Sequence, residues 1–378
     1  MTTPKITVFP LGNADTTRID LRDGRKMLVD YANMRNAADP ADKRIDLPAE
    51  LRKDLRVVRR DAFDVVCFTH LDNDHVCGAS DFFWFDHAAK YQGGERIKIK
   101  ELWVPAGALT EAGIQDCARV IREEAKYRLK QGYGIRVFSR PAALQGWLEA
   151  NGLTVDSRRH LITDAGQLVP GFSKFGPAGV EFFIHSPFGF RRDDRGIEDR
   201  NQDSVVFQAT FNEGLRDTRA LFTADMNWPG LKDIVDITRK HGNEARLEWD
   251  IMKVPHHCSY LSLSDEKGKD HTTPVEEVRW LHENAGQRRS IMISTSWPIP
   301  VPGTPEDEDV QPPHRQAANY YKSVQFAPGR DGEFAVTMER TKANPRPTEI
   351  EVTAQGAKLI TALAAPATVL ASSPVRAG

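Results

Sequence analysis

The amino-acid sequence predicts an α/β fold built on a mixed β-sheet, and two patterns point to it. Residues 5–10 alternate polar and apolar side chains, and two more short strands flank the turn Asp23-Gly24. Short β-branched apolar runs then recur along the chain, with amphipathic helical patterns between them. A β-meander that opens such a chain favours a mixed or antiparallel sheet over a doubly wound parallel one.

The composition is that of an ordinary globular protein. The chain has 378 residues, of which 40% are hydrophobic and 28% are charged, and its formal net charge is −2. A chain of this length can bury a core, and its nearly balanced charge provides no overall positive field for nucleic acid. Its four cysteines form no C-x-x-C pair, and neither a signal core nor a long apolar run occurs. We therefore expect reduced thiols, a cytoplasmic location and no membrane contact.

In the first half of the chain the patterns predict strands separated by helices. A charged helix at 48–60 precedes a buried strand at 63–68, and a short helix begins at Gly78. The elements that follow are a strand at 97–104, helices at 109–131 and 141–152, and a hairpin of 160–163 and 167–169 around Ala165-Gly166. No linker sets residues 105–175 apart, so we interpret them as an elaboration near the site, within one domain that spans residues 1–356.

The second half is predicted to continue in the same way. It has strands at 180–185, 204–210, 220–223, 251–254 and 290–294, and helices at 229–241 and 274–285. Residues 298–313 are rich in proline and predict an irregular loop. Residues 333–353 fit a closing hairpin, and the Ala-rich residues 357–378 predict a weakly ordered tail.

The stretch most informative about function is Thr69-His70-Leu71-Asp72-Asn73-Asp74-His75, which directly follows a predicted buried strand. A strand that ends in such a loop presents imidazole nitrogens and carboxylate oxygens together at one edge of a sheet. His70 and Asp72 can turn to one metal, and Asp74 and His75 to a second. A solvated acidic turn with two incidental histidines is the alternative, but matching residues follow later strands. The loop therefore predicts a metal site.

Two later strand ends supply the remaining parts of a dinuclear hydrolytic site, which needs two cations and an oxygen ligand shared between them. Asp225 follows one predicted strand and can bridge the two metals. His256 and His257 follow the next strand, so another imidazole arrives at a strand end. Three strand ends that deliver ligands in chain order predict a site for two divalent metal ions.

Three segments resemble those of the metallo-β-lactamase-fold hydrolases. Thr69-His70-x-Asp72-x-Asp74-His75 is similar to their H-x-H-x-D-H loop, and Phe222-Thr223-Ala224-Asp225 to their L-x-T-G-D bridging segment. Lys253-Val254-Pro255-His256-His257-Cys258-Ser259 resembles the K-V-x-H-H-G-S segment of the branch that contains the hydrolase domain of the DNA-uptake protein ComEC. The resemblance covers most of the chain, in order. It implies a four-layer αββα sandwich of the metallo-β-lactamase type, with a helical insertion and the metals at the sheet edge.

Weaker similarities to the same branch lie outside these segments. Leu11-Gly12-Asn13-Ala14-Asp15 is close to its V-G-x-G-D turn, and Asn201 to Phe207 is close to its N-x-x-S-L-V-L strand. For the third ligand of the first metal we favour Asp203, with Asn201 and His185 as alternatives. A late histidine near proline is also usual in the branch, and His314 takes that place.

The sequence departs from the family pattern at three positions. Asp72 stands in place of a histidine, and Ala224 and Cys258 stand in place of glycines. The carboxylate of Asp72 favours manganese, iron or magnesium relative to zinc, although zinc also accepts carboxylate. We interpret Cys258 as a packed thiol. Of the two adjacent histidines, we favour His256 as the metal ligand. His257 would then contact a ligand side chain or face the substrate.

These features predict a metal-dependent hydrolase in which metal-bound hydroxide attacks phosphorus or a carbonyl carbon. Asp74 is expected to orient the water, and His257 or His314 to protonate the leaving group. The oxygen-rich ligand set favours a phosphodiester substrate, with nucleic acid as the leading class. One alternative is a hydrolase of carboxylic ester, thioester, lactone or amide bonds. The other is a non-catalytic binding or regulatory module in which a metal ion only stabilises the fold. Nothing in the sequence indicates an oligomeric state.

Overall fold

The computed structural model describes residues 2–188, 200–214, 216–339 and 344–360. In this part of the chain the strands are β1 Lys5–Val8, β2 Thr17–Asp20, β3 Lys26–Val29, β4 Ala62–Cys67, β5 Lys98–Pro105, β6 Ile135–Phe138, β7 Ile162–Thr163, β8 Val180–Ser186, β9 Val206–Asn212, β10 Asp217–Phe222, β11 Trp249–Lys253, β12 Gly286–Ser294, β13 Glu333–Val336, β14 Thr348–Thr353 and β15 Gly356–Ile360. The helices are α1 Leu47–Val57, α2 Asn73–Val76, α3 Ala79–Phe82, α4 Gly107–Thr110, α5 Asp116–Gln131, α6 Ala142–Ala150, α7 Val155–Arg158, α8 Trp228–Lys240, α9 Glu276–Glu283 and α10 Arg315–Gln325.

The strands form two mixed sheets. The first sheet has the order β15-β14-β1-β2-β3-β4-β5-β6-β7, and the second has the order β13-β12-β11-β10-β9-β8. The first is antiparallel from β15 to β3 and parallel from β3 to β7. The second is antiparallel from β8 to β10 and parallel from β10 to β13. The prediction of a mixed α/β fold is therefore confirmed.

Three apolar clusters show that the two sheets are stacked between layers of helices. Leu51 of α1 and Ile121 of α5 belong to a cluster that packs helices on the outer face of the first sheet. Trp103 belongs to the cluster between the two sheets. Val235 of α8 and Tyr321 of α10 belong to the cluster that packs helices on the outer face of the second sheet. The layer order is therefore helix, sheet, sheet, helix, as the αββα expectation requires.

Local chemistry explains where the first long helix begins. The side chain of Asp46 accepts a hydrogen bond from the N–H of Ala49, and Pro48 lies in the first turn, where its missing N–H costs nothing. Leu47, Leu51 and Leu55 recur every four residues and are all buried. One face of α1 therefore packs on the sheet, and the charged face lies in solvent.

The helix predicted at 109–131 is two helices in the structure, α4 and α5. The residues between them include Gly113, whose φ of 73° lies in the left-handed region. A right-handed helix cannot continue through such a residue. The apolar periodicity runs across the break because residues on both sides face the same cluster, and the sequence pattern therefore merged the two helices.

Two predicted hairpins are wrong. Residues 160–163 and 167–169 face different partners: β7 pairs with β6, and Leu168 forms an isolated bridge to Phe183 of the second sheet. Residues 333–353 also divide between the sheets, since β13 pairs with β12 and β14 pairs with β1. The closing hairpin consists of β14 and β15 instead. In both cases two apolar runs that are close in sequence pack on different layers.

Strand β15 includes residues 357–360, which were expected to begin the weakly ordered tail. Residues 361–378 lie outside the described part of the chain. Residues 105–175 add β6 and β7 to the first sheet as well as α4 to α7. Among the described helices, none is both long and apolar enough to span a lipid bilayer.

One backbone contact brings the two sheets together at the metal loop. The N–H of Val205, just before β9, donates to the carbonyl of Thr69, just after β4, at 2.9 Å. Because β9 and β10 are antiparallel, the start of β9 lies beside the end of β10. The loops after β4, β10 and β11 therefore meet at the same end of the sandwich.

Candidate metal centre

Asp30 orients the candidate metal-binding loop, residues 69–75. It directly follows β3, and its φ of 58° turns its side chain towards the loop after β4. Its Oδ1 accepts the N–H of Thr69 at 2.7 Å. Its Oδ2 accepts the hydroxyl of Thr69 and the Nδ1–H of His75, each at 2.8 Å. A carboxylate only accepts hydrogen bonds, so the His75 proton is on Nδ1 and Nε2 is left to face the centre.

The Nε2 atom of His75 lies among carboxylates. It is 3.2 Å from Asp225 Oδ1 and 3.5 Å from Asp15 Oδ2. Burial lowers the pKa of His75, but the negative charges of Asp225 and Asp30 outweigh burial and raise it well above its usual value. Within the described chain, His75 Nε2, Asp225 Oδ1 and Asp15 Oδ1 are all buried without a hydrogen-bond partner.

His257 faces the same point from the second sheet. Its Nδ1 donates to the carbonyl of Thr295 at 2.7 Å, so its Nε2 is again the inward atom. Nε2 lies 3.2 Å from Asp74 Oδ2 and 3.2 Å from Asp225 Oδ2. Burial lowers the pKa of His257, but Asp225 and then Asp74 overcome it and raise the pKa to about 10. The centre therefore concentrates negative charge around two imidazoles.

These side chains are suited to hold a divalent cation. Asp15, His75, Asp225 and His257 each present one donor atom, and these atoms lie within 4.8 Å of one another. Four ligands about 2.1 Å from a tetrahedral cation are about 3.4 Å apart, which is close to the separations around His75 Nε2. A cation would also give partners to the buried nitrogen and oxygen atoms that lack them. The donor set therefore fits a metal ion.

His70 and Asp72 lie beside this cluster. The ring centroids of His70 and His75 are 4.0 Å apart, and His70 Nε2 is buried without a hydrogen-bond partner among the described residues. Asp72 Oδ2 is 3.7 Å from His70 Nε2, whereas its Oδ1 accepts a hydrogen bond from Arg200 at 2.6 Å. Arg200 also pairs with Glu111 at 2.5 Å. Asp72 is therefore shared between the metal loop and an arginine at the edge of the site.

Asp74 lies between the centre and solvent. Burial raises its pKa, but the hydrogen bond from His257 and the charge of His75 outweigh burial and lower the pKa to about 2. About a third of its side chain is exposed, 31%. Asp74 is therefore an ionised carboxylate that both the centre and solvent can reach.

The structure places the adjacent histidines differently from each other. His257 joins the four-residue cluster, whereas His256 Nδ1 donates to Asn227 Oδ1 at 3.0 Å and its ring centroid is 6.3 Å from that of His257. His256, His257 and Cys258 all have positive φ values, of 47°, 50° and 69°. This left-handed turn directs successive side chains apart. The geometry therefore favours His257 as the ligand, and not His256 as the sequence had suggested.

His314, Asp203 and His185 complete the set of predicted residues. His314 Nδ1 accepts the N–H of Tyr260 at 3.3 Å, and burial lowers the pKa of His314 to about 4. Asp203 is buried and lies two residues before Val205, whose N–H binds the metal loop. His185 Nε2 donates to the carbonyl of Arg246 at 2.9 Å, outside the four-residue cluster.

Asp15 and Asp30 were not among the predicted site residues. Asp30 directly follows β3, and Asp15 ends the turn after β1 that resembles V-G-x-G-D. Asp30 directly follows β3 and Asp15 lies just before β2, and both strands belong to the same sheet as β4. Only this position next to a strand could have indicated from the sequence that the two residues belong to the site, since neither lies in a ligand-rich motif.

Comparison with known proteins gives limited similarity. No family model and no curated protein matches the chain. A diphosphatase from the PhnP family aligns over 76% of this chain and 85% of its own, with 11% identity and a TM-score of 0.31. A class B3 di-zinc metallo-β-lactamase from an Alaskan soil metagenome aligns over 71% and 84%, with 12% identity and a TM-score of 0.29. The fold described above therefore rests on the chain's own layers and strand order.

Proposed function

We propose that the chain is a metal-dependent hydrolase that cleaves phosphodiesters with the help of two divalent cations. The observation that carries this proposal is the convergence of imidazole and carboxylate donors from separate strand ends on one buried point. His75, Asp225 and His257 would hold one cation, and His70 with Asp72 would hold the second. Asp225 offers both oxygens towards the site, as a bridging ligand must.

Divalent cations, when bound, lower the pKa of water and polarise the bond to be cleaved. The protein supplies orientation and proton handling. Asp30 and the carbonyl of Thr295 fix the tautomers of His75 and His257, so that both Nε2 atoms point inward. Asp74, ionised and partly exposed, can accept the proton of an attacking water. The buried His314 beside Tyr260 is a candidate for contact with the leaving group.

A phosphodiester substrate is supported by the chemistry of the donors. The site is rich in carboxylates, and carboxylates favour hard cations that also bind phosphate oxygens well. Arg200 is 38% exposed beside Asp72 and can donate to an anionic oxygen. The similarity of residues 253–259 to the ComEC-like branch supports nucleic acid as the substrate class.

The test is an assay of purified protein with Mn²⁺ or Zn²⁺ on bis(p-nitrophenyl) phosphate, single-stranded DNA and RNA. We expect turnover of at least one phosphodiester and its loss in Asp225→Ala. Asp217→Ala is the matched control, because Asp217 lies at the opposite end of the same strand and pairs with Lys174 at 2.6 Å. If no phosphodiester is hydrolysed, or if Asp225→Ala equals the wild type, the proposal is wrong. Faster cleavage of p-nitrophenyl acetate would favour a carbon-centred ester substrate.

A further inference from the structure

We propose that Asp15 is a ligand of the cation that His75, Asp225 and His257 surround, and that Lys253 holds its carboxylate in place. This inference rests on the proposed function, because it adds a ligand to the same centre. It goes beyond the metal-binding loop and the two later strand ends, since Asp15 arrives from the turn after β1.

The first observation is a buried ion pair. Lys253, the last residue of β11, is 8% exposed, and its Nζ donates to Oδ2 of Asp15, which is 1% exposed. A buried ammonium ion needs a carboxylate partner, and Asp15 supplies it. An ionised carboxylate can accept about four hydrogen bonds or metal bonds. The bond to Lys253 therefore leaves the Asp15 carboxylate able to accept further hydrogen bonds or metal bonds.

The second observation is that the Asp15 carboxylate is buried beside the other donors and lacks a partner for one of its oxygens. Asp15 Oδ1 is buried and has no hydrogen-bond partner in the described ranges, and Oδ2 lies 3.5 Å from His75 Nε2. An unpartnered buried carboxylate oxygen is costly. A cation at the centre of the cluster would bind the Asp15 carboxylate, and it would also give partners to His75 Nε2 and Asp225 Oδ1.

The backbone shows that the position of Asp15 depends on more than Lys253. The N–H of Asp15 donates to the carbonyl of Asp74 at 2.9 Å. The turn after β1 is therefore hydrogen-bonded directly to the candidate metal-binding loop, and this contact does not depend on Lys253 of β11. This contact holds the backbone of Asp15 beside the site, while Lys253 positions the carboxylate and offsets part of its charge.

A ligand of this kind changes the metal preference. With Asp15 the cluster offers two imidazole nitrogens and two carboxylate oxygens. Ligand sets that contain carboxylates suit manganese and iron, whereas ligand sets made of sulfur or of nitrogen alone select zinc and copper. We therefore expect Mn²⁺ affinity to depend more strongly on Asp15 than Zn²⁺ affinity does.

The experiment compares metal binding, without substrate, in the wild type, Asp15→Asn and the double variant Asp15→Asn/Lys253→Met. The double variant leaves no buried lysine without its partner, so it separates ligand loss from charge imbalance. Asp250→Asn is the matched control, since Asp250 is another buried carboxylate on β11 and its partners are Arg216 and the N–H of Arg219. Elemental analysis gives the metal content, calorimetry with Mn²⁺ and Zn²⁺ gives the affinities, and thermal unfolding in chelator gives the stability of the metal-free fold.

We expect both Asp15 variants to bind Mn²⁺ at least about tenfold more weakly than the wild type, the loss typical when a metal site is disturbed. The double variant should recover the unfolding temperature but not the affinity. Wild-type affinity in the double variant would overturn the inference, because Asp15 would then serve only Lys253. Weak binding by the Asp15 variants together with inactivity of the wild type on phosphodiesters would leave the ligand assignment standing and reject the proposed substrate.

Discussion

Asp30 Oδ2 lies 2.8 Å from His75 Nδ1, and this contact determines which nitrogen of the imidazole faces the candidate metal centre. The same carboxylate accepts the backbone N–H and the hydroxyl of Thr69. One residue after β3 thus holds both ends of the segment from Thr69 to His75. The parallel pairing of β3 with β4 makes this possible, because it brings both strand ends to the same edge.

We predict that Asp30→Asn weakens metal binding by about 10- to 100-fold, the range found when the partner of a ligating histidine is removed. An amide has one oxygen, and its NH₂ group would meet one of the three donors that Asp30 now accepts. Elemental analysis and Mn²⁺ calorimetry provide the measurement. Asp20→Asn is the control, because Asp20 pairs with Lys26 at the opposite end of β3. Equal affinity in Asp30→Asn and the wild type would contradict this role.

A second prediction concerns stability in acid. His282 is fully buried between Tyr320 and Tyr321, with ring centroids 5.7 and 5.2 Å away. Neither of its ring nitrogens has a hydrogen-bond partner among the residues described. Burial, and then the charge of Arg330, lower the pKa of His282 to about 3. An unfolded histidine has a pKa of about 6.5. Between these values the unfolded chain binds a proton that the folded chain does not.

The stability that His282 contributes is therefore complete above about pH 6.5 and is lost progressively as the pH falls towards 3. At pH 5 the loss is about 2 kcal/mol. We expect His282→Phe to show a smaller decrease in unfolding free energy between pH 7 and pH 5, measured by denaturant titration. His241→Phe, at an exposed histidine, should keep the wild-type pH dependence. Identical slopes in His282→Phe and the wild type would show that this group does not titrate on unfolding.

A third prediction tests the packing between the sheets. Trp103 of β5 is fully buried, and its ring centroid lies 5.5, 5.7 and 5.5 Å from those of Phe138, Phe172 and Phe182. Trp103→Ala should lower the unfolding free energy by about 3–5 kcal/mol, because it leaves a cavity between the layers. Phe175→Ala, at a side chain that is 79% exposed, should change it by less than about 0.5 kcal/mol. Similar losses in the two variants would contradict the two-layer core.

The cysteines provide a fourth prediction. Cys67 and Cys258 are buried, and burial raises the pKa of both thiols. Cys77 and Cys117 are partly exposed. With a thiol reagent such as Ellman's, we expect two thiols to react in the folded protein and four after unfolding, because only an accessible thiolate reacts. Rapid labelling of Cys258 in the folded state would mean that the turn after β11 opens.

Much of the candidate site could be proposed from the sequence because its parts are local. The metal loop after β4, Asp225 after β10 and the histidine pair after β11 each combine an apolar strand with polar residues at its end. Such patterns lie within about ten residues of sequence. The site residues themselves remain predictions that the binding and activity experiments above test.

The contacts that organise these parts are not local. Asp30 and His75 are 45 positions apart, and Lys253 and Asp15 are 238 apart. A single aspartate after a strand carries no signal of which histidine or lysine it will meet. The wrong hairpin at 333–353 has the same origin, since β14 pairs with β1 from the other end of the chain.

The sequence by itself determined the alternation of strands and helices, the strand ends that carry the candidate metal ligands and the oxygen-rich character of those side chains, because periodicity and residue type are properties of short segments. Only the tertiary structure decided that His257 rather than His256 turns to Asp225, that Asp72 is shared with Arg200, and that Asp15 joins the cluster. These choices depend on backbone dihedral angles and on the stacking of two sheets, which bring together atoms that are remote in sequence.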